Sequence, residues 1–215
     1  MAKNTKKIAL SPERYRGLIS AAIGALLSLC LVVLNGCGAR FPELQQLAPL
    51  PSKPPCHIAV LPFVNKSKYV QADRIVYKIF MAELLQSTQY RVAQEGDVRK
   101  IYRQLKIYPQ QTPQFDQLKI MADRLNTQFF IIGTILKAQE QTSGRAANPQ
   151  LTMMLDLVDA TSGKTLWSTY HTREGIQYQK VMHFGLVTTI SGVARRMSQE
   201  ILNLWFREGL QPCTE

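Results

Sequence analysis

The side chains of this 215-residue chain that could carry chemistry are four cysteines, three histidines and two neighbouring carboxylates. Cys30 lies inside an apolar run from Leu18 to Leu34, and Cys37 closes that run. Cys56 and Cys213 stand near the two ends of the remaining chain. In an oxidising compartment an even pair of cysteines is a disulfide candidate. A Cys56–Cys213 bridge would close a very long loop, worth about 5 kcal/mol in the chain-entropy account; two free thiols are the other reading. No Cys-x-x-Cys pair occurs, and His57, His171 and His183 share no metal spacing, so no metal site is expected and each histidine reads as structural. Asp156 and Asp159 are close enough to work as an acid/base pair, but Asp159 opens Asp159-Ala160-Thr161-Ser162-Gly163, where an Asp caps its own turn. A Gly-x-Ser-x-Gly elbow, a His-Glu-x-x-His helix and a phosphate-cradling Gly-x-x-x-x-Gly-Lys loop are all missing from the sequence. The expectation is a protein that is not an enzyme and has no cofactor.

Cys37 is the exception, a cysteine whose surroundings specify a reaction. Lys3, Lys6, Lys7, Arg14 and Arg16 give a basic start, the apolar run comes next, and it ends on Leu34-Asn35-Gly36-Cys37. That is the anatomy of a secretory signal. The last four residues resemble the lipobox of bacterial lipoproteins, in which the cysteine thiol is lipidated and the chain is cut before it. The resemblance implies removal of residues 1–36 and a lipid on Cys37. An uncleaved membrane helix from Leu18 to Leu34 is the rival, at the short end of what spans a bilayer, where about 20 apolar residues are typical. By resemblance to enteric sorting, Gly38 after the lipid cysteine implies delivery to the outer membrane, facing the periplasm.

The full chain carries a net charge of +11, and five basic residues and Glu13 within the signal leave +7 for the rest. Such a surplus suits anionic partners or simply aids solubility. Export argues against nucleic acid, so the partners expected are the membrane, through its lipid anchor, and an envelope protein, with a homo-oligomer open. Six cations form a candidate surface for an anionic partner: Arg74 and Lys78 on one predicted helix, and Arg99, Lys100, Arg103 and Lys106 on the next. A merely solvated face is the alternative. Trp205, Phe206 and Leu210 are read as buried against the sheet rather than held out for a partner.

The elements that must position these residues begin after a Pro-rich tether, residues 37–55, with Pro42, Pro49, Pro51, Pro54 and Pro55. Residues 56–215 read as one periplasmic domain. His57 to Phe63 is a buried strand stopped by Pro62, and Asn65 to Tyr69 a polar loop. Residues 72–87 have helical spacing, Gln89 to Ala93 form a short strand, and Asp97 caps a second helix. Thr112-Pro113 starts a third helix. Gln128–Lys137 and Leu151–Val158 are paired strands joined by an exposed loop from Gln141 to Asn148, and Lys164–Tyr170 is the last strand. A continuous apolar stripe, including Met182, Leu186 and Ile190, predicts one long helix from about Tyr178 to Phe206. The order βαβααβββα predicts an α/β domain of three-layer type, with a mixed sheet of about five strands flanked by helices.

Three stretches carry a family resemblance: Ile58 to Ser67 (IAVLPFVNKS), Phe129 to Ile135 (FFIIGTI) and Leu155 to Ser168 (LDLVDATSGKTLWS). They resemble the opening strand, central strand and hairpin of an envelope-protein superfamily. It includes curli-secretion channel subunits, lipoprotein activators of penicillin-binding proteins, and the amino-terminal domain of the Tol-system β-propeller protein. Where that family usually has Gly-Ala-Asp before its central strand, this chain has Leu125-Asn126-Thr127-Gln128. The resemblance implies a small α/β domain and two roles. The leading one is an outer-membrane lipoprotein that binds or scaffolds an envelope assembly; the alternative is an activator of a penicillin-binding protein, disfavoured by the short reach of the tether.

Overall fold

The computed structural model describes residues 41–51, 56–87, 90–108, 110–143, 146–182 and 184–210. Seven strands form one sheet: β1 (Glu43–Gln46), β2 (His57–Val60), β3 (Val64–Asn65), β4 (Arg91–Val92), β5 (Phe129–Ser143), β6 (Ala146–Asp159) and β7 (Thr165–Glu174). The helices are α1 (Ala72–Ser87), α2 (Glu95–Gln104), α3 (Phe115–Leu125) and α4 (Ile190–Arg207), with one 3-10 turn at Gly175–Tyr178. Strand order is β1-β7-β6-β5-β2-β4, with β3 added along β5. β2 pairs in parallel with both β4 and β5, while β1, β5, β6 and β7 form an antiparallel half.

Alternation along β2 and β5 divides the interior between two faces. Ile58, Val60, Phe129 and Ile131 join α1 and α4 in one core; Ala59, Leu61, Phe130 and Ile132 join α2 and α3 in the other. Helices on both faces of a mixed sheet make the three layers expected. Apolar strands such as Ile58-Ala59-Val60-Leu61 result directly, because a strand covered on both faces has no solvent side to mark with polar residues. The two tryptophans sit on the α4 side: Trp167 meets Trp205 edge-on at 6.3 Å, and the Trp205 Nε1–H donates to Thr169 Oγ1 at 2.7 Å. Trp205 and Leu210 are fully buried, and Phe206 packs against Tyr90.

The family-like segments turn out to be packing and turn devices. Gly133 lies under the Phe63 ring, whose nearest atom is 2.4 Å from where a Cβ would stand. The Asp159 carboxylate accepts from Thr161 N at 3.0 Å, Ser162 N at 2.6 Å and Ser162 Oγ at 2.9 Å, and Gly163 takes φ +67°. Asn65 organises its loop, with Oδ1 accepting from Ser67 N and Nδ2 donating to Tyr69 O. Where the sequence departs from the family, it builds its own joint. Asn126 caps α3 in the left-handed region and its carbonyl accepts from His57 Nδ1 at 2.8 Å; Thr127 Oγ1 donates to His57 O; Gln128 Oε1 accepts from Cys56 N.

The fold departs from expectation in five places. The sheet has seven strands, not about five, because two short strands lie in segments read as tether and polar loop. β1 runs antiparallel to β7, Glu43 opposite Tyr170 and Gln46 opposite Trp167, and Leu47 N and Ala48 N bond Leu166 O. Residues 43–48, read as part of the tether, are therefore bound to the sheet edge; four strand residues with only Leu44 turned to the core give no alternation to read. Second, β5 and β6 stay paired from Phe129–Asp159 to Ser143–Ala146, so residues 141–143 and 146–148 of the expected exposed loop extend the hairpin. Partner strands impose extended backbone on residues of weak β propensity. Third, the last helix starts at Ile190: Thr189 caps it, Oγ1 accepting from Gly192 N at 3.1 Å, while Met182 (φ +51°) and Gly185 (φ +85°) hold the preceding chain out of helix. Fourth, α3 starts at Phe115 behind a Gln114/Gln117 capping box rather than at Pro113. Fifth, α2 starts at Glu95 with Gln94 at its N-cap, so Asp97 lies inside the first turn, where its charge suits the helix dipole, and does not cap the helix.

Candidate functional site

A cleft of about 680 Å³ opens where β2 ends. The chain leaves β2 to form β4 on one side and later β5 on the other, and a crevice outside the carboxyl ends of parallel strands at such a switch point is a favoured ligand position. Pro62 stops β2, Phe63 folds onto Gly133, and the Asn65 loop brings Val70 and Gln71 to the rim. The walls come from α1 (Asp73, Arg74, Tyr77), α2 (Gly96, Arg99, Tyr102, Arg103) and the segment after it (Ile107, Gln110), around about 680 Å³. Gln110 ties that segment down: its Oε1 accepts from Asn65 N at 2.5 Å and its Nε2 donates to Asp73 Oδ2 at 3.0 Å.

Three of the six cations singled out from the sequence, Arg74, Arg99 and Arg103, line this cleft together. Asp73 is the one acidic residue in the lining. Arg99 Nε donates to Glu95 Oε1 at 2.7 Å, one helical turn back, and Lys78 bonds the other oxygen of the same carboxylate. Burial pushes the Glu95 carboxyl up, but the hydrogen bonds from Lys78 and Arg99 outweigh it and hold it below the ordinary range. Arg74 and Arg103 are exposed and have no ion-pair partner among the described residues. The other cations are dispersed: Lys78 is committed to Glu95, Lys100 lines a smaller groove of about 310 Å³ with Asp97 and Arg124, and Lys106 is exposed just beyond α2.

Two further cleft residues escape a reading of the sequence. Tyr77 and Tyr102 are 2% and 7% exposed, line the cleft, and place buried hydroxyls that have no hydrogen-bond partner among the described residues. Burial, reinforced by the Glu95 charge for Tyr77 and by Tyr77 for Tyr102, holds both hydroxyls well above the usual phenol range, so they remain O–H donors. Their spacing fits the apolar stripes of α1 and α2, where a tyrosine reads as core. A third unpartnered hydroxyl, on Tyr90, lies outside the cleft.

The remaining residues of chemical interest are used within the fold. His171 is buried and its Nε2–H donates to Glu200 Oε2 at 2.5 Å, alongside Arg173, which bonds both oxygens of that carboxylate at 2.9 and 3.0 Å. Asp156 accepts from Ser168 Oγ at 2.6 Å; burial pushes its carboxyl up and this bond partly offsets that. Among the described residues no His, Cys, Asp and Glu cluster could hold a metal ion, and no helix is long and apolar enough to cross a membrane. Cys37, Cys213 and His183 lie outside the described residues, so neither the lipid site nor the Cys56–Cys213 pair is seen.

Residues 39–172, more than half of the chain, match the model of the peptidoglycan-synthase activator LpoB family. The chain belongs to that family. The matched LpoB-family region runs from just before β1 through most of β7 and contains the whole cleft. No curated protein matches in sequence. Among solved structures, the PelC dodecamer from Paraburkholderia phytofirmans is similar at TM-score 0.53 and 16% identity, over 80% of this chain and 99% of that one. Lipoprotein GNA1162 from Neisseria meningitidis gives 0.51 and 17%, over 71% and 99%. The LpoB C-terminal domain from Salmonella enterica gives 0.43 and 13%, over 56% and 84%. At these identities the likeness to PelC and GNA1162 is one of fold.

Proposed function

We propose that this chain is a non-catalytic lipoprotein that activates a peptidoglycan synthase by protein contact in the periplasm, anchored to the outer membrane through Cys37. The match to the peptidoglycan-synthase activator family carries this reading. It reverses the order of the two roles expected from the sequence, in which scaffolding of an envelope assembly led. The structure adds a geometric condition. Only five residues separate Cys37 from β1, so the anchor lies at most about 20 Å along the chain from Glu43. A domain of this size has a radius of gyration of about 16 Å. The surface offered to a partner is thus confined to a few tens of ångströms from the anchoring membrane, and the synthase must reach toward it. That short leash is also the observation that favours the second reading, a scaffold built of copies of this chain at the membrane surface.

The test adds the lipidated, detergent-solubilised protein to a purified peptidoglycan synthase polymerising its lipid-linked precursor, with crosslinking in living cells alongside. Faster polymerisation, and recovery of the synthase as a crosslinked partner, are expected. An unchanged rate, with only copies of this chain recovered, would reject the activator and leave the scaffold.

A further inference from the structure

We propose that the arginine-lined cleft is a binding site for a phosphoryl group, carried either by a soluble small molecule or by a lipid headgroup. Such a site needs no synthase to be present. The cleft's volume of about 680 Å³ falls within the span usual for small-molecule sites, roughly 300–1,000 Å³. Its lining pairs apolar walls (Phe63, Val70, Ile107) with convergent donors. Three arginines face one aspartate, so the lining is cationic even with Arg99 shared with Glu95.

The tyrosines turn a basic cleft into a site of stated chemistry. A buried hydroxyl without a partner costs free energy, and proteins rarely leave one so. Tyr77 and Tyr102 leave two in the same cleft, both protonated donors. The missing component is an acceptor, and one with several oxygens, since two guanidinium forks and two phenols compete for it. A phosphoryl group presents three strong acceptor oxygens and suits arginine's bidentate geometry. A single carboxylate has two. Both hydroxyls are buried in the wall of the cleft, beneath the arginines that line it.

Sheet register shows why a headgroup is an available source. Glu43 pairs with Tyr170, Tyr170 with Met154, Met154 with Thr134, and Thr134 with Val64. β1 therefore begins, at Glu43, in the same row as Val64, beyond the point at which β2 stops.

The test is titration calorimetry on the full mature protein in non-ionic detergent. One arm uses inorganic phosphate and diphosphate. A second uses dihexanoyl phosphatidylglycerol, with dihexanoyl phosphatidylcholine as its control, and a third uses hexaglutamate. Diphosphate binding with a Kd on the order of 0.1 mM is expected for a soluble ligand. Selective binding of the phosphatidylglycerol, without diphosphate binding, is expected for a headgroup. In either case Arg74→Gln with Arg103→Gln should weaken binding about tenfold or more, and Tyr77→Phe with Tyr102→Phe severalfold. The phenylalanine variant should unfold at no lower temperature than the wild type, because the hydroxyls it removes bond nothing in the empty cleft. Absence of binding in both phosphate arms overturns the proposal, as does binding indifferent to both variants. Equal or tighter binding of hexaglutamate overturns it in favour of an acidic protein partner.

Discussion

Glu200→Leu should be strongly destabilising, and its cost should vanish in acid. Glu200 accepts from His171 Nε2 at 2.5 Å, from Arg173 Nε and Nη2 at 3.0 and 2.9 Å, and from Tyr178 O–H at 3.3 Å, while Arg173 lies 5.3 Å over the Tyr178 ring. The carboxylate thus joins α4, β7 and the 3-10 turn through one acceptor group. Leucine keeps helix propensity and comparable bulk, so the change isolates the charge. It leaves Arg173, 8% exposed, a buried guanidinium without its acceptor. Breaking a buried pair from one side costs about 3–5 kcal/mol, a third or more of the roughly 5–15 kcal/mol that hold a domain together. Adding Arg173→Met removes the stranded charge, so the double variant should recover about 2 kcal/mol or more relative to the sum of the singles.

Acidity supplies a second axis. Burial pushes the Glu200 carboxyl up, yet the hydrogen bonds from His171 and Arg173 overcome it, and the group sits below its ordinary 4.5. A carboxyl depressed in the folded state binds its proton more readily when unfolded, so its contribution is complete above about 4.5 and is lost as pH falls through the lower folded value. The gap between wild type and Glu200→Leu should be full at pH 7 and close toward acid. Urea denaturation across that range measures it. A loss below about 1 kcal/mol at pH 7, or additivity within about 0.5 kcal/mol in the double variant, would refute the reasoning.

Gly133→Ala should cost about 1–3 kcal/mol by overpacking, since its Cβ would lie 2.4 Å from the Phe63 ring; a thermal midpoint equal to wild type would show that the ring moves freely. Thr189→Ala removes the cap of α4 and should cost about 1 kcal/mol in urea, with Thr189→Ser restoring most of it. The Cys56–Cys213 bridge is the remaining prediction. Arg91 N donates to Cys56 O at 3.0 Å, Tyr90 next to it packs on Phe206 at 6.5 Å, and buried Leu210 stands three residues, about 10 Å of chain at most, before Cys213. Cys56→Ser should then lower stability by about 3–5 kcal/mol, whereas full thiol reactivity in the oxidised protein would exclude the bridge.

Much of this architecture was legible because its signals are local and repeated. The run from Ile58 to Leu61, the stripe of α1 and the Asp159–Gly163 turn each state their structure within a few residues, and together they yield βαβααβββα. What escaped is decided at a distance. β1 exists because the edge of β7 is open to it, and its own four residues carry one inward side chain. The extension of β5 and β6 exists because each supplies the other's hydrogen bonds over polar sequence. The false start of the last helix has the opposite cause: Met182 and Leu186 fit the stripe, but Met182 is 84% exposed and the left-handed Gly185 interrupts it. For the site, the arginines announced themselves by charge, while Tyr77 and Tyr102 were hidden by hydrophobic spacing that they also satisfy.

The division of labour between the family-like segments and the cleft has the same origin. The family-like segments spend their distinctive residues on packing: Gly133 admits the Phe63 ring, Asp159 closes a turn, and Trp167 meets Trp205. They set where β2 must end and therefore that a cleft opens there. The groups that give the cleft its charge and its unpartnered donors lie on α1 and α2, outside those segments. A resemblance carried by packing residues can accordingly hold across proteins whose clefts differ in chemistry. For this chain the experiments separate cleanly. Exchanges at Arg74 and Arg103 alter an exposed wall and leave both cores intact, so they can abolish a cleft ligand without unfolding the surface a synthase would meet. If the same exchanges abolish synthase activation in a folded protein, the cleft and the partner surface are one site; if activation survives them, the two functions occupy different parts of the domain.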